Sequence, residues 1–167
     1  MRLRKADKSD IPVIWQILMQ AIEQRRLDGS EQWQGGYPNE SIIQTDIDAG
    51  YGYVLSVNQD IIAYAAIIFE IEPAYEVIEG KWLTDGKYVV VHRVAVKNSQ
   101  KQKGLATHLF RMIEELAVEN NIFSIKVDTN FDNLPMLRIM GKLGYSYCGE
   151  VYFNGSARRA FEKVLNQ

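Results

Sequence analysis

The sequence predicts a single α/β domain over residues 1–167, in which a central mixed sheet is flanked by helices. Three observations carry this prediction. The chain has 167 residues, an ordinary size for one domain, and shows no linker, repeat or low-complexity tract. Apolar residues make up 47% of it, which is a globular composition able to fill a core. Strand and helix periodicities alternate in the order strand, two helices, hairpin, strand, helix, strand, helix and two strands.

Periodicity and turn residues define the elements of the N-terminal half. Residues 1–6 are predicted to form a short strand, and a helix with Pro12 in its first turn follows. Asn39 is expected to cap a short second helix. The runs 51–57 and 61–69 are rich in apolar and β-branched residues and are separated by three polar residues, so they predict a hairpin.

The C-terminal half contains two amphipathic helices and several strands. Residues 70–86 read as a polar, acidic connection that leads into a β-branched strand over 87–96. Gly104 precedes a helix with one apolar face, and the next helix has Pro135 in its first turn and Gly144 at its end. The remaining strands are predicted at 123–129, 145–153 and 157–165.

Composition argues against several classes of function. The net charge of -2 is not that of a general nucleic-acid or membrane-surface binder, so we expect neither partner. No apolar run approaches the roughly 18 residues of a membrane span, and the N-terminus lacks the apolar segment of a signal peptide. The single cysteine, Cys148, cannot form an internal disulfide, which favours a cytoplasmic location. Two histidines and one cysteine far apart in sequence predict no metal site.

The stretch over residues 97–110 combines basic residues, a glycine and the start of a helix. From residue 86 to 113 the chain has six Lys or Arg and no Asp or Glu. A glycine before a helix exposes the first-turn N–H groups, and the helix dipole adds positive potential there. These features predict a site for a polyanion. An ordinary solvated loop with a glycine hinge is the alternative reading.

Residues 101–106, Lys-Gln-Lys-Gly-Leu-Ala, resemble the cofactor motif of the GNAT superfamily of acetyl-CoA-dependent N-acetyltransferases: Gln or Arg, two residues, Gly, one residue, then Gly or Ala. Lys101 departs from the usual Gln or Arg. The resemblance extends to the preceding strand and to the later helix that ends in Leu-Gly-Tyr, and it implies a mostly antiparallel sheet. It also implies that acetyl-CoA is the cosubstrate and that the following residues bind it: Val94, Val96, Lys101, Gln102, Lys103, Gly104, Leu105, Ala106, Thr107 and Asn133.

Acetyl transfer to an amine needs a base, since an alkyl amine with a pKa of about 10.4 is protonated at neutral pH. His92 lies two residues before Val94, is predicted to share its strand face, and is the candidate base. Glu72, in the acidic connection, is a second candidate for the catalytic group. A histidine satisfied in the core and a solvated glutamate remain the alternatives. The tyrosine that serves as general acid in the family corresponds to Met140 here, which leaves the proton donor open.

The acceptor is expected to be a small-molecule primary amine held by loop residues. Trp33, Tyr37 and Glu76 are the candidate substrate-binding residues, and Trp82 lies in the same variable region as Glu76. Together with the glutamates, these aromatic residues would form an aromatic-acidic site that binds an amine with the help of cation–π contacts. The sequence favours equally the alternative that the two tryptophans seal the core edge or make a dimer contact. The sequence leaves open a protein or peptide acceptor, a non-catalytic acyl-CoA-binding module, and a homodimer.

Overall fold

The structure, a computed structural model, describes residues 1–101 and 103–166. Two short 3-10 turns, Lys8–Asp10 and Asn98–Gln100, supplement the regular elements. The helices are α1 (Ile11–Leu27), α2 (Glu40–Asp48), α3 (Pro73–Glu76), α4 (Leu105–Glu119) and α5 (Leu134–Leu143). The strands are β1 (Arg2–Lys5), β2 (Gly52–Val57), β3 (Asp60–Ile68), β4 (Glu79–Gly80), β5 (Val89–Val96), β6 (Ser124–Thr129), β7 (Ser146–Phe153) and β8 (Ser156–Val164). Within the described ranges, no helix is long and apolar enough to cross a membrane.

The eight strands form one sheet in the order β1-β2-β3-β5-β6-β8-β7-β4. The pair β5–β6 is parallel. The pairs β1–β2, β2–β3, β6–β8, β7–β8 and β4–β7 are antiparallel. The predicted fold class, a mixed and mostly antiparallel sheet flanked by helices, is therefore confirmed.

The chain divides into two compact units. The first unit comprises Met1–Ile67 with Arg93–Met112, and the second comprises Ile68–His92 with the chain from Ile113 onward. The division falls within β5, so that His92 and Arg93, which are consecutive, belong to different units. The assignment of residues 1–167 to a single domain stays a prediction.

The core of the first unit lies where α1 and α2 pack on the strands of the predicted hairpin. Pro12 stands in the first turn of α1, and the Asn39 side chain accepts a hydrogen bond from the Ile42 N–H, so both helix starts follow the sequence prediction. The buried residues of this cluster are Ile14, Ile17, Leu18, Ala21, Ile43, Val54, Ile61, Tyr64 and Ala95.

The core of the second unit contains two elements that the sequence reading missed. Residues 70–86 were predicted to be a connection, but they contain α3 and β4. The strand β4 pairs with β7 through Gly80 and Gly149, whose φ angles are 141° and 137°. A Cβ on Gly80 would meet the Cys148 carbonyl oxygen, so this close backbone approach requires glycine. The buried residues of this cluster are Tyr75, Tyr88, Val90, Val151 and Ala160.

Candidate active site

The last residues of β5 belong to the first unit and begin with a backbone irregularity. Arg93 has a φ of 54°, which interrupts the regular alternation of the strand. That His92 and Val94 share one strand face, which assumed regular alternation, stays a prediction. The Arg93 guanidinium pairs with Asp46 through two contacts, Nε to Oδ2 at 2.9 Å and Nη2 to Oδ1 at 2.5 Å. Because both side chains are buried, this pair fixes α2 to β5.

The predicted anion site is a glycine followed by the first turn of α4. Gly104 has a φ of 69°, and a Cβ built there would meet no atom within 4 Å. The first helical hydrogen bond runs from the His108 N–H to the Gly104 carbonyl at 3.0 Å. The N–H groups of the preceding turn, at Leu105, Ala106 and Thr107, therefore come before the helical ladder. The Leu105 and Thr107 side chains are buried, so these residues offer a ligand their backbone.

The lysines of the basic stretch differ in their surroundings. Lys97 pairs with Asp60 at 3.1 Å, and Lys103 is exposed. The Lys101 Nζ approaches the Gln24 side-chain oxygen on α1 at 3.5 Å. Burial, and then the Arg25 guanidinium, lower the pKa of Lys101, since both oppose its positive charge. Gln102, the other predicted side chain of this motif, lies outside the described residues.

The two predicted acceptor residues of the first unit are held by that unit itself. Trp33 is partly buried and packs against the core cluster of the first unit. These contacts favour the interpretation that Trp33 seals the edge of the core. The Tyr37 hydroxyl accepts a hydrogen bond from Arg93 Nη1 at 2.5 Å, and 45% of Tyr37 remains exposed. Tyr37 therefore presents its ring to solvent and its hydroxyl to a buried guanidinium.

In the second unit, His92 lies between two carboxylates. Its Nε2 is 3.4 Å from Glu72 Oε2, and its Nδ1 is 3.5 Å from Asp128 Oδ1. Asp128 also accepts a hydrogen bond of 2.5 Å from the Tyr75 hydroxyl. The imidazole edge packs against the rings of Tyr75 and Phe153, each at a centroid distance of 6.0 Å. Sequence reasoning selected Glu72 and His92 but missed Asp128 and Tyr75.

Glu72 and Glu76 are tied together through Tyr88. The Tyr88 hydroxyl donates to Glu76 Oε1 at 2.8 Å and accepts from the Glu72 backbone N–H at 3.1 Å. The Glu72 side chain accepts from the Ala74 N–H, so it also caps α3. Burial first, and then the bond to Glu76, raise the pKa of Tyr88 to about 12. The two glutamates and His92 thus belong to one hydrogen-bonded region.

Trp82 does not present a free ring to an acceptor. Its indole N–H donates to the Tyr75 carbonyl at 2.8 Å, and the Lys126 ammonium lies 4.4 Å from its ring centroid. The same ammonium lies 4.0 Å from the centroid of Tyr88. Lys126 is only 3% exposed, and burial lowers its pKa. The cation–π contact expected from a bound amine is therefore made by a lysine of the protein.

A buried carboxylate holds the chain segment that follows Trp82. Glu162 is 0% exposed and accepts hydrogen bonds from the Leu83 N–H at 2.5 Å and the Thr84 N–H at 3.3 Å. The Thr84 hydroxyl and the Ser124 hydroxyl bond to its other oxygen. This carboxylate fixes the segment to β8 and β6.

Met140 and three side chains that could exchange a proton, those of Tyr145, Cys148 and Tyr152, are buried or hydrogen-bonded. Met140 is fully buried in α5. The Tyr145 hydroxyl contacts Glu114 at 3.3 Å, and the Tyr152 hydroxyl donates to Glu79 at 2.7 Å. Burial raises the pKa of the Cys148 thiol, which opposes its ionisation.

Asn133 is buried at the start of α5, in the second unit. Its side-chain oxygen accepts from the Met136 N–H at 3.3 Å, which makes it the cap of that helix. Its predicted contact with the pantetheine arm remains a proposal.

Comparison with known proteins identifies the class. The model of the acetyltransferase (GNAT) family matches residues 15–145. A GNAT-family acetyltransferase from Streptococcus agalactiae is 34% identical, with 99% of this chain and 96% of that chain covered and a TM-score of 0.90. No curated protein matches the sequence. The chain belongs to the GNAT acetyltransferase family and is an N-acetyltransferase with acetyl-CoA as its cosubstrate.

Two more distant structures share the fold. A Salmonella typhimurium protein solved with its cofactor acetyl-CoA is 17% identical, with 100% of this chain and 95% of that chain covered and a TM-score of 0.69. The aminoglycoside acetyltransferase AAC(6')-Ib, in complex with ribostamycin and coenzyme A, is 22% identical. The match covers 97% of this chain and 92% of that chain, with a TM-score of 0.71.

Proposed function

We propose that this enzyme transfers the acetyl group directly to a primary amine of a small molecule, without an acetylated enzyme. The observation that carries the proposal is the pair formed by His92 Nε2 and the Glu72 carboxylate, 3.4 Å apart. A carboxylate attracts an ammonium group, and an imidazole accepts one of its protons. A carboxylate that binds the ammonium also favours its charged form, so binding and deprotonation oppose each other when one group performs both. In the proposal, Glu72 binds the ammonium and His92 accepts the proton.

The protons of the reaction balance with His92 as the base. The acceptor enters as an ammonium ion and gives one proton to His92 Nε2, which releases it to solvent. The amine nitrogen then forms a bond to the acetyl carbon as the carbon–sulfur bond breaks. The nitrogen loses a second proton, which the departing thiolate takes. No separate proton donor is needed, since a thiolate with a pKa of about 8.5 is a weak base.

The basic stretch and the end of β5 are the proposed cosubstrate site. Open space beside Gly104 and the first-turn N–H groups of α4 fit a diphosphate. The side chains of Lys101 and Lys103 would add positive charge, and the neutral amide of Gln102 would add a hydrogen-bond donor. We further propose that the backbone of Val94 and Val96 contacts the pantetheine arm.

A small molecule is the proposed acceptor class on two grounds. The segment after Trp82 is held by the buried Glu162, which suits a pocket of fixed shape more than a groove that adapts to peptides. The distant neighbour AAC(6')-Ib was solved with ribostamycin, which is a small molecule. In this proposal Glu72 and Glu76 supply the charge that attracts the acceptor.

The test is a comparison of His92→Gln with His108→Gln, since these are the two histidines of the chain. Turnover of acetyl-CoA with a panel of primary amines, peptides included, identifies the acceptor. With that acceptor, His92→Gln should lower kcat/KM about 100-fold or more near pH 7, because general-base catalysis contributes 10²–10⁴. The deficit should shrink as the pH approaches the amine's own pKa, about 10.4, where the acceptor is already neutral.

His108 is exposed on α4, so His108→Gln should keep full activity. A deficit in His92→Gln that stays constant across this pH range would exclude His92 as the base. Intersecting initial-velocity lines are expected for direct transfer. Parallel lines, with activity lost in Cys148→Ala, would replace it with an acetyl-cysteine route.

A further inference from the structure

We infer that Asp128 is a positioning residue that keeps the proton of neutral His92 on Nδ1 and so leaves Nε2 as the base. This inference rests on the proposed function, because it assigns a role in the same proton transfer. Asp128 does not contact the acceptor in this scheme, and it acts only through the imidazole.

A neutral imidazole has one proton and here faces two carboxylates. The proton belongs either on Nδ1, toward Asp128, or on Nε2, toward Glu72. The Asp128 side chain is 10% exposed and that of Glu72 is 21% exposed. The more buried carboxylate attracts the N–H more strongly, because less solvent screens it.

The backbone and one hydroxyl also hold Asp128 in place. Asp128 lies on β6 and pairs with Ala160 of β8, whereas Glu72 lies just before a four-residue helix. The Tyr75 hydroxyl, on a fully buried side chain, donates to the same Asp128 oxygen that faces His92. Burial and the Asp128 charge raise the pKa of Tyr75 well above its ordinary value, so this hydroxyl remains a donor. The Nε2–Glu72 contact of 3.4 Å lies at the limit of a hydrogen bond, and the Nδ1–Asp128 contact of 3.5 Å is an ion-pair distance. The proposed role of Asp128 therefore requires that the Nδ1–Asp128 contact tightens, as catalytic contacts commonly do when the substrate binds.

The position of this proton determines what His92 Nε2 and Glu72 can bind together. With the proton on Nδ1, Nε2 and the Glu72 carboxylate are two acceptors 3.4 Å apart. An ammonium group has several N–H donors and can give one to each acceptor, while a neutral alcohol has only one hydroxyl proton. The arrangement therefore selects a cationic primary amine and places one of its protons on the base.

The test reads the tautomer directly, by ¹⁵N NMR of the histidine side chains in the protein without substrate. His108→Gln assigns the signals, because only His92 then remains. The wild type should show a protonated Nδ1. Asp128→Ala should move a large fraction of the proton to Nε2, toward Glu72. Asp128→Asn should restore the wild-type tautomer, because its side-chain oxygen can still accept from both Nδ1 and Tyr75.

Kinetics add a second readout. Asp128→Ala should lower kcat about 10-fold or more, as expected for loss of the tautomer, with the KM for acetyl-CoA unchanged within about twofold. Glu72→Gln is the contrasting variant, since it should keep the Nδ1 proton while raising the KM for the amine. If Asp128→Ala does not fold, Tyr75→Phe removes only the hydroxyl and should shift the tautomer in the same direction by a smaller amount.

The outcomes separate this inference from the proposed function. A wild-type His92 with its proton on Nε2, or a tautomer unchanged in Asp128→Ala, overturns the role of Asp128 even if His92 proves to be the base. If the tautomers behave as expected but His92→Gln keeps full turnover, the positioning contact stands and the proposed proton transfer fails.

Discussion

Gly104 offers the sharpest test of the proposed cosubstrate site, through the pair Gly104→Asp and Gly104→Asn. Its φ of 69° lies in the left-handed region, so any side chain there carries strain. Asn and Asp tolerate this conformation better than other residues and have nearly the same size. A Cβ at this position meets no protein atom within 4 Å. The two variants therefore share the backbone cost and differ mainly in one negative charge.

The size of the effect follows from Coulomb's law. A carboxylate about 5 Å from a bound phosphate costs about 3 kcal/mol at an effective dielectric constant of 20 and about 0.8 kcal/mol in bulk water. Lys103 and Gly104 are exposed, so the expected value lies between these limits. A penalty of about 1–2 kcal/mol makes the dissociation constant of the Asp variant about 5- to 30-fold larger than that of the Asn variant.

Calorimetric titration with acetyl-CoA measures this ratio, and thermal unfolding of both variants verifies that they are folded. The ratio should fall as salt is added, because the charges are near the surface. Equal affinities in two folded variants would show that no phosphate binds at this turn. The assignment of the first-turn N–H groups of α4 would then be wrong, although the family membership would be unaffected.

Two further predictions concern stability. Asp10 accepts from Arg4 at 2.7 and 3.0 Å, and this bond lowers the Asp10 pKa below 3.8. Its stabilisation is therefore complete above about pH 5 and is lost as the pH falls through the lowered pKa. Asp10→Asn should cost about 1–3 kcal/mol in urea unfolding at neutral pH, and a deficit that persists unchanged at pH 2 would contradict this. Glu162→Ala removes the acceptor of the Leu83 and Thr84 N–H groups and of the buried Ser124 hydroxyl, and it should cost about 3 kcal/mol or more. Glu162→Gln keeps one acceptor oxygen and should cost about 1 kcal/mol. Equal losses in the two Glu162 variants would mean that these N–H bonds contribute little.

Local signals made most of the fold predictable. Pro12 and Asn39 mark helix starts, and Gly144 ends α5 with a φ of 80°, because each depends only on nearby backbone. The strand β4 was missed because two residues carry no periodicity and its partner, β7, is about seventy residues away in the chain. The positive φ of Arg93 was missed because arginine rarely adopts it, and a buried pair with Asp46 holds it there.

The candidate site, like the fold, was only partly predictable from the sequence. The motif around Gly104 and the choice of His92 as candidate base came from residue types in sequence, and both stay predictions. The contact of the Lys126 ammonium with the Trp82 ring could not be predicted, because the two residues are distant in sequence. One signal for Asp128 was available: Lys126 and Asp128 alternate with apolar residues in a strand of the core. Charged residues at such positions require partners, and this requirement points to a site before the partners are known.

The resemblance implies an acid tyrosine at residue 140, where this chain has Met140. The absence of this acid is compatible with the proposed proton transfer. A separate acid is useful when the leaving group is a strong base, but a thiolate is a weak one. The attacking amine loses two protons between the ammonium ion and the amide, and in the proposed transfer His92 takes only the first. The second can go to the sulfur. Met140 is 0% exposed, so its side chain packs in the core. Restoring a tyrosine at residue 140 would bury a hydroxyl in the core, and the physical expectation is a loss of stability with no gain in turnover.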